Sequence, residues 1–372
     1  MKKIAVFLGD FFWSSIPYDG IRLLNLLQEE YDVDLLMFER DIRLNKKFLG
    51  KEKYFFNVDV FKNSKNLKTI KNWEELYKVS KDYKLIITST HIAPKTRYPY
   101  DLKKNIQCPI AAWDIGGTDI LTNAIIFATF YFVKGPIWKN WLRDKNVKQE
   151  NIFVTGSPHY DEYVIDSYKS ENKLNFYNKY SLKNNAKTLL VCPSNPGSHK
   201  EQFEQNIIEL RKLITFSKGL DLNFLLKTYP HDYVFYENVF DLSGVYKRVY
   251  NNKPHYEFLK NEFPELIVVE SQDHHKAIMF SDAMYNMSGS HVAWETHFSK
   301  CKSYSTNYKD KNYYGSVRYL KGVKMPDDIY NTHIDDITDI QMCGKEVTQD
   351  NDYIITTNSI KNIVQKIKEL QL

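Results

Sequence analysis

The sequence predicts an α/β protein made of two Rossmann-like lobes that face a cleft. Three observations predict it. Short apolar runs alternate with amphipathic ones from Lys3 to Val154, a polar and aromatic stretch interrupts them at Tyr160–Asn185, and the alternation restarts at Lys187. Strands separated by helices need crossover connections, and these build parallel sheets with a fixed right-handed sense. The 372 residues also exceed what one hydrophobic core usually holds. The expected organisation is a first lobe over 1–158, a connection over 159–185, a second lobe over 186–355, and a final helical segment over 356–372.

In the first lobe Lys3–Leu8 reads as a buried strand. Its apolar part, Ile4 to Leu8, is too short for the core of a signal peptide. Tyr18–Glu30 carries Ile21, Leu23, Leu24, Leu26 and Leu27 at helical spacing. Val33–Phe38 is the next strand, and Asp32 and Asp34 share one of its faces, where they are expected to solvate an edge rather than hold a metal. Trp73–Val79 reads as helix, and Leu85–Thr88, Ile110–Trp113, Ile125–Val133 and Ile152–Val154 as strands.

In the second lobe Lys187–Cys192 is a strand, Pro193–His199 a turn-rich loop and Gln202–Phe216 a helix. Phe224–Lys227 and Leu266–Val269 are strands, His275–Phe280 a short helix, Ala283–Asn286 a strand, His291–His297 a helix start and Lys302–Ser305 a further strand. Ser359 is placed as the cap of an amphipathic helix, Ile360–Leu370, with Ile360, Ile363, Val364, Ile367 and Leu370 on one face.

Composition narrows the function classes. A net charge of +5 from 51 basic and 46 acidic residues permits an anionic partner but demands none. The cysteines Cys108, Cys192, Cys301 and Cys343 form no C-x-x-C pair, so neither a zinc site nor a disulfide framework is expected, and a reducing, cytoplasmic setting fits. The longest apolar stretch, Ala124 to Val133, is about half a membrane span, so no transmembrane segment is expected.

Open α/β sheets bind ligands beyond the carboxyl ends of their strands, so the loops that follow strands hold the candidate site residues. In the second lobe the strand Ala283–Asn286 runs into Ser288-Gly289-Ser290 and then a helix, a pattern that offers backbone N–H groups to a phosphate. Glu295, further along that helix, is placed to accept the hydroxyls of a ribose. Lys187–Cys192 leads into Ser194-Asn195-Pro196-Gly197, which has neither the Walker nor the G-x-G-x-x-G spacing but can bring N–H groups to a diphosphate. Lys227 closes a buried strand and His231 follows four residues later; both could neutralise a leaving diphosphate. In the first lobe Asp10, His91 and Asp114 each follow or end a strand-like run. Asp114 precedes Gly116-Gly117 and is the first choice for a general base, ahead of His91 and Asp10. No metal site is expected; His274 and His275 are adjacent and do not share a helix face.

The order of strand, Lys227-Thr228-Tyr229-Pro230-His231, then Ser281-Asp282, Ser288-Gly289-Ser290 and Glu295 resembles the C-terminal lobe of GT-B fold glycosyltransferases, in particular the group of CDP-glycerol glycerophosphotransferases and polysaccharide glycosyltransferases. Thr155-Gly156-Ser157-Pro158-His159-Tyr160-Asp161 is similar to the junction that ends the first lobe in that group and in UDP-sugar 2-epimerases. The Pro-His pair is inverted relative to the usual Lys-x-His-Pro. The resemblance implies a first lobe for the acceptor and a second that binds a nucleotide-sugar donor, UDP-linked as the first expectation, with Glu295 on the ribose. It also implies that the final helix, Ile360–Leu370, crosses back to the first lobe, and a metal-independent displacement that needs no further cofactor.

The acceptor expected from this resemblance is a glycan or lipid-linked hydroxyl of a cell-surface polysaccharide. Hydroxymethylated DNA is an alternative, for which the lysine-rich stretch Lys46-Lys47, Lys51, Lys53, Lys62, Lys65 and Lys68 would supply a basic groove. Glycerophosphate transfer, 2-epimerisation and a non-catalytic nucleotide- or glycan-binding scaffold are the rival functions.

Overall fold

The computed structural model describes residues 3–8, 23–39, 66–89, 104–115, 128–158, 160–161, 170–193, 200–227, 255–270, 273–287, 292–297, 299–306, 329–332 and 358–370. They divide into two compact units. One contains the elements from Lys3 to Asp161 and the last helix, Ser359–Glu369; the other contains the elements from Ser170 to Thr332.

The first unit holds a seven-stranded sheet: β1 (Lys3–Leu8), β2 (Val33–Phe38), β3 (Leu67–Ile70), β4 (Tyr83–Ser89), β5 (Ile110–Ile115), β6 (Phe130–Val133) and β7 (Ile152–Val154), in the spatial order β3-β2-β1-β4-β5-β6-β7. Every pairing is parallel. The strand sequences explain this. β1 and β2 are buried almost throughout, as strands covered on both faces must be. Phe7 at the end of β1, Phe38 at the end of β2 and Trp73 meet edge to face, with ring centroids 5.0 to 5.8 Å apart. The helix Trp73–Ser80 starts at Asn72, whose side chain accepts the Glu75 N–H at 2.9 Å.

The second unit holds six parallel strands: β8 (Lys187–Cys192), β9 (Leu222–Lys227), β10 (Ile267–Val269), β11 (Ala283–Asn286), β12 (Lys302–Thr306) and β13 (Ile329–Thr332), in the order β10-β9-β8-β11-β12-β13. Counted within the unit this is 3-2-1-4-5-6, the Rossmann winding. The chain leaves β8 toward β9 on one side and reaches β11 on the other, so the order reverses between β8 and β11. In the first unit the reversal falls between β1 and β4.

Several elements differ from the sequence expectation. β3 and β13 are strands that periodicity does not mark, and Pro136–Asp144 and His255–Glu262 are helices it does not mark. The stretch expected to connect the lobes contains a helix, Ser170–Lys179, that belongs to the second unit. Lys179 at its end reaches Asp273 and Glu270, both at 2.6 Å, and the Tyr180 hydroxyl donates to Asp273 at 2.8 Å. Burial alone would raise the Asp273 carboxyl; the hydrogen bonds from Lys179 and Tyr180 outweigh it and hold the group below its ordinary value.

The N-cap position of the last helix is Asn358, in the left-handed conformation at φ 57°, rather than Ser359, and the Asn358 side chain makes no capping bond. Ser359 is fully buried and bonded to Asp161.

Asp34 does not solvate an edge. β2 lies between β1 and β3, and Asp34 is buried at 1 % exposure. Lys68 lies 2.6 Å from its carboxylate, Lys3 3.6 Å, and the Tyr83 hydroxyl donates to it at 2.8 Å. Lys68 is itself exposed and pairs with the buried Asp34 carboxylate. The other lysines of its lysine-rich stretch, from Lys46 to Lys65, lie outside the described residues.

Candidate functional site

The second unit brings several sequence-selected residues to one edge. β8 ends at Cys192 and β11 ends at Asn286, and these two are register partners across the point where the strand order reverses. The Met287 N–H donates to the Cys192 carbonyl at 2.9 Å, which holds the two strand exits together. A ligand of a doubly wound sheet sits where the loops after two such strands part. Here those loops carry Ser194, Asn195 and Gly197 after β8, and Ser288, Gly289 and Ser290 after β11. All six lie outside the described residues, as does His231 after β9.

Lys227 is the last residue of β9, half-buried, and pairs in register with Val269 at the end of β10. Glu295 sits on the helix Val292–His297, also half-buried. Both act electrostatically on Cys192. Burial pushes the Cys192 thiol up to about 12; Lys227 opposes the rise and Glu295 adds to it. A cation and a carboxylate from two different elements therefore converge on the β8 exit.

His274, which its sequence context excludes as a metal ligand, belongs to the same edge. It opens the helix His274–Phe280 that follows β10. Burial and the Lys227 cation hold its imidazole well below the ordinary value, against a hydrogen bond to the Val269 carbonyl that favours the protonated form. The one cue in the sequence is its place, directly after a strand exit.

Val292–His297 has six residues, fewer than two turns, whereas Lys200–Ser217 after the β8 loop has eighteen. The longer helix presents the better-developed N-terminal dipole.

The opposite edge of this sheet carries a hydrogen-bond network. The Thr188 N–H donates to Asp282 at 2.8 Å, Tyr177 and Thr188 hydroxyls share a 2.8 Å bond, and the Asn223 amide donates to Thr188 at 3.2 Å. These bonds tie together the amino ends of three of the six strands, β8, β9 and β11.

In the first unit Asp10 and His91 lie outside the described residues. They follow β1 and β4, the strands between which the order reverses. Asp114 is on β5, where the register with β6 shifts between Ala112 and Ile115. Trp113 beside it is fully buried, and its indole N–H has no hydrogen-bond partner among the described residues. A cavity of about 320 Å³ lies at the amino ends of β5 and β6, lined by Cys108, Ile110, Thr129 and Tyr131, away from these strand exits. Among the described residues no group of three or more His, Cys, Asp or Glu could hold a metal ion, and no helix is long and apolar enough to cross a membrane.

The two windings define the class of fold: the chain has the GT-B fold. Solved structures show the same fold over nearly the whole chain. UDP-GlcNAc 2-epimerase from Methanocaldococcus jannaschii matches with a TM-score of 0.60 at 13% identity, covering 99% of each chain. The 2-epimerase from Neisseria meningitidis bound to UDP-GlcNAc matches with a TM-score of 0.59 at 13% identity, covering 99% of this chain and 100% of that one. The wall teichoic acid polymerase TagF matches with a TM-score of 0.53 at 14% identity, covering 99% of this chain and 90% of that one. No protein-family model matches the sequence, and no curated protein matches it.

Proposed function

We propose that the chain is an enzyme that binds a nucleoside-diphosphate sugar, UDP-linked in the first instance, on the carboxyl edge of its second sheet and transfers the sugar to a hydroxyl acceptor. The observation that carries this reading is the convergence of Lys227 and Glu295 on Cys192 at the point where the strand order reverses. A diphosphate needs cations and N–H donors, and a ribose needs a hydrogen-bond acceptor. Lys227 supplies the cation and Glu295 the acceptor. Ser194, Asn195, Gly197, His231, Ser288, Gly289 and Ser290 leave the same strand ends and supply further donors.

The reaction is a displacement at the anomeric carbon. The acceptor oxygen forms a bond to that carbon as the bond to the diphosphate breaks. Lys227 stabilises the charge that collects on the leaving diphosphate. Asp114 takes the acceptor proton, with His91 and Asp10 as the other residues of the first unit that can do so. The acceptor is a glycan or lipid-linked hydroxyl, bound by the first unit.

A second reading, 2-epimerisation of the donor, is favoured by the match over 99% of both chains with the Methanocaldococcus enzyme. Incubation with UDP-GlcNAc in deuterium oxide separates the two. Epimerisation breaks the bond from hydrogen to C2 and brings deuterium there without any acceptor. Transfer leaves C2 unlabelled and releases the nucleotide only when an acceptor is present. A chain that neither binds nor turns over UDP-GlcNAc or CDP-glycerol overturns both.

A further inference from the structure

The cavity of about 320 Å³ lies at the amino ends of β5 and β6, the edge of the first sheet opposite its strand exits, and the proposed transfer makes no use of it. Three segments build its walls. Ile110 opens β5, Ala128 and Thr129 lead into β6, and Val147 follows the helix Pro136–Asp144. Ile106, Ile110, Ala128 and Val147 make one side apolar, and the half-buried Cys108 borders the same space. At the roughly 30 Å³ that one water occupies in the liquid, such a volume holds about ten non-hydrogen atoms.

Tyr131 supplies a polar wall. It is the second residue of β6 and is buried at 1 % exposure. Its hydroxyl accepts the Ala128 N–H at 3.0 Å, and both residues line the cavity. Burial raises the titration of this phenol well above its ordinary value, against the Ala128 N–H, which lowers it, so the hydroxyl keeps its proton. That proton has no acceptor among the described residues. A buried donor left without an acceptor is costly, and the cavity is the open space beside it. The Thr129 hydroxyl accepts the Ile110 N–H at 3.3 Å, which leaves its own proton to donate.

The charges set the sign of a ligand. Among the described residues that line the cavity, Lys148 is cationic and none is Asp or Glu. The neighbouring helix end presents few open carbonyls to an anion. The Leu142 carbonyl accepts the N–H groups of Lys145 and Val147 at 3.0 and 3.1 Å, and the Arg143 carbonyl accepts that of Asn146 at 2.9 Å. Two hydroxyl donors and an ammonium beside an apolar wall suit a compact anion with an apolar body.

We propose that this cavity is a second ligand site, separate from the donor edge, and that it takes a small organic acid whose apolar body packs against Ile106, Ile110 and Val147 while its carboxylate accepts from Tyr131 and pairs with Lys148. The site stands whether or not the second unit binds a nucleotide, because no residue is shared.

Benzoate, benzamide and acetate are the probes, applied to the full chain. Labelling of Cys108 by iodoacetamide at pH 8, mapped by mass spectrometry, reads occupancy, and equilibrium dialysis with labelled benzoate counts it. Benzoate, with about nine non-hydrogen atoms, is expected to slow Cys108 labelling at least about fivefold, to saturate by about 10 mM and to bind once per chain. Benzamide keeps the ring without the charge and should need about tenfold more; acetate keeps the charge without the ring and should give no protection. Tyr131→Phe should raise the benzoate needed by about tenfold, and Lys148→Gln by about threefold. Absence of bound benzoate in dialysis overturns the site, whatever the thiol does. Equal protection by benzamide overturns the preference for an acid, and equal protection by acetate reduces the effect to one of salt. Unchanged benzoate binding in both variants removes the two groups assigned to the carboxylate. Lys148 is exposed, so Lys148→Gln and the unaltered chain still decide if Tyr131→Phe does not fold.

Discussion

Asp161 caps the helix that begins 198 residues later. Its carboxylate accepts the Ser359 N–H at 2.8 Å and the Ser359 hydroxyl at 2.6 Å, and both residues are buried. A second bond, from the Asn362 amide to the Thr155 carbonyl at 3.2 Å, fixes the next turn of the helix to the same junction. Gly156 makes that junction possible. It takes φ 90°, where a side chain would be strained, and its N–H joins that of Thr155 on the Val133 carbonyl.

Asp161→Ala is therefore expected to destabilise the first unit by about 2–3 kcal/mol, the cost of leaving buried donors without a charged acceptor. Ser359→Ala keeps the N–H bond and costs about 1 kcal/mol. Denaturant unfolding measures both. Equal midpoints for Asp161→Ala and the unaltered chain would refute the capping role. Lys368–Glu30 joins the same helix to the turn before β2 at 2.8 Å, but it is exposed and its removal is expected to change little.

Acid is expected to destabilise the first unit through Asp34. Burial alone would raise its carboxyl. The hydrogen bonds from Lys68 and Tyr83 and the charges of Lys68 and Lys3 outweigh burial and hold it below the ordinary value of 3.8. A group depressed in the folded state contributes stability above its unfolded value and loses it as the pH falls through the folded one. Thermal unfolding between pH 6 and pH 2 should show this loss beginning below about pH 4. Asp34→Asn should flatten that part of the profile; an unchanged profile removes Asp34 from the account.

Lys227→Ala is expected to weaken binding of a nucleoside-diphosphate sugar at least about tenfold, the loss of one charge-assisted contact. Glu295→Gln is expected to weaken binding of the nucleoside but not of inorganic pyrophosphate, because its partner is the ribose. Binding measured with both ligands distinguishes the two residues. Equal losses on both ligands for both variants would contradict the division of roles.

Asp114→Asn is expected to reduce kcat by about a hundredfold to ten-thousandfold and leave donor affinity intact, the range for loss of a general base. Single-turnover measurement with saturating donor checks it. Full activity in this variant transfers the role to His91 or Asp10.

The thiols should differ in reactivity. Cys108 is half-buried beside the cavity at the amino ends of β5 and β6, while Cys192 and Cys301 are buried. Cys192 is further held in its thiol form by a titration pushed up to about 12. Alkylation at pH 8, mapped by mass spectrometry, should label Cys108 first and reach Cys192 and Cys301 only on unfolding. Early labelling of Cys192 would mean that the β8 exit is open to solvent.

Much of the scaffold was legible in the sequence. β1, β2, β8 and β11 have the limits that their apolar runs suggest, because strands buried on both faces must be apolar throughout. β3 was not legible. Leu67–Ile70 contains a lysine and a threonine, and it is a strand through its parallel pairing with β2, across which Lys68 also meets the buried Asp34. β13 is equally short, four residues paired along one side only with β12. Pro136–Asp144 hides its nature behind two tryptophans and a proline, yet the proline occupies the first turn, where its missing N–H costs nothing. Among the site residues, Lys227 could be selected because it ends a buried strand, and Glu295 because it lies on the helix that follows a strand and a small-residue turn. His274 could not, since its partners Val269 and Lys227 come from two strands that the sequence alone does not make neighbours.

The sequence by itself determined the α/β class, the two parallel sheets and the loops in which a ligand would be sought, because burial on both faces imposes apolar strands and crossovers impose their hand. Only the tertiary structure decided which strand ends are neighbours. The pairing of Cys192 with Asn286 and the capping of Ser359 by Asp161 depend on the order of strands in space and on contacts across 94 and 198 residues, which no local pattern encodes.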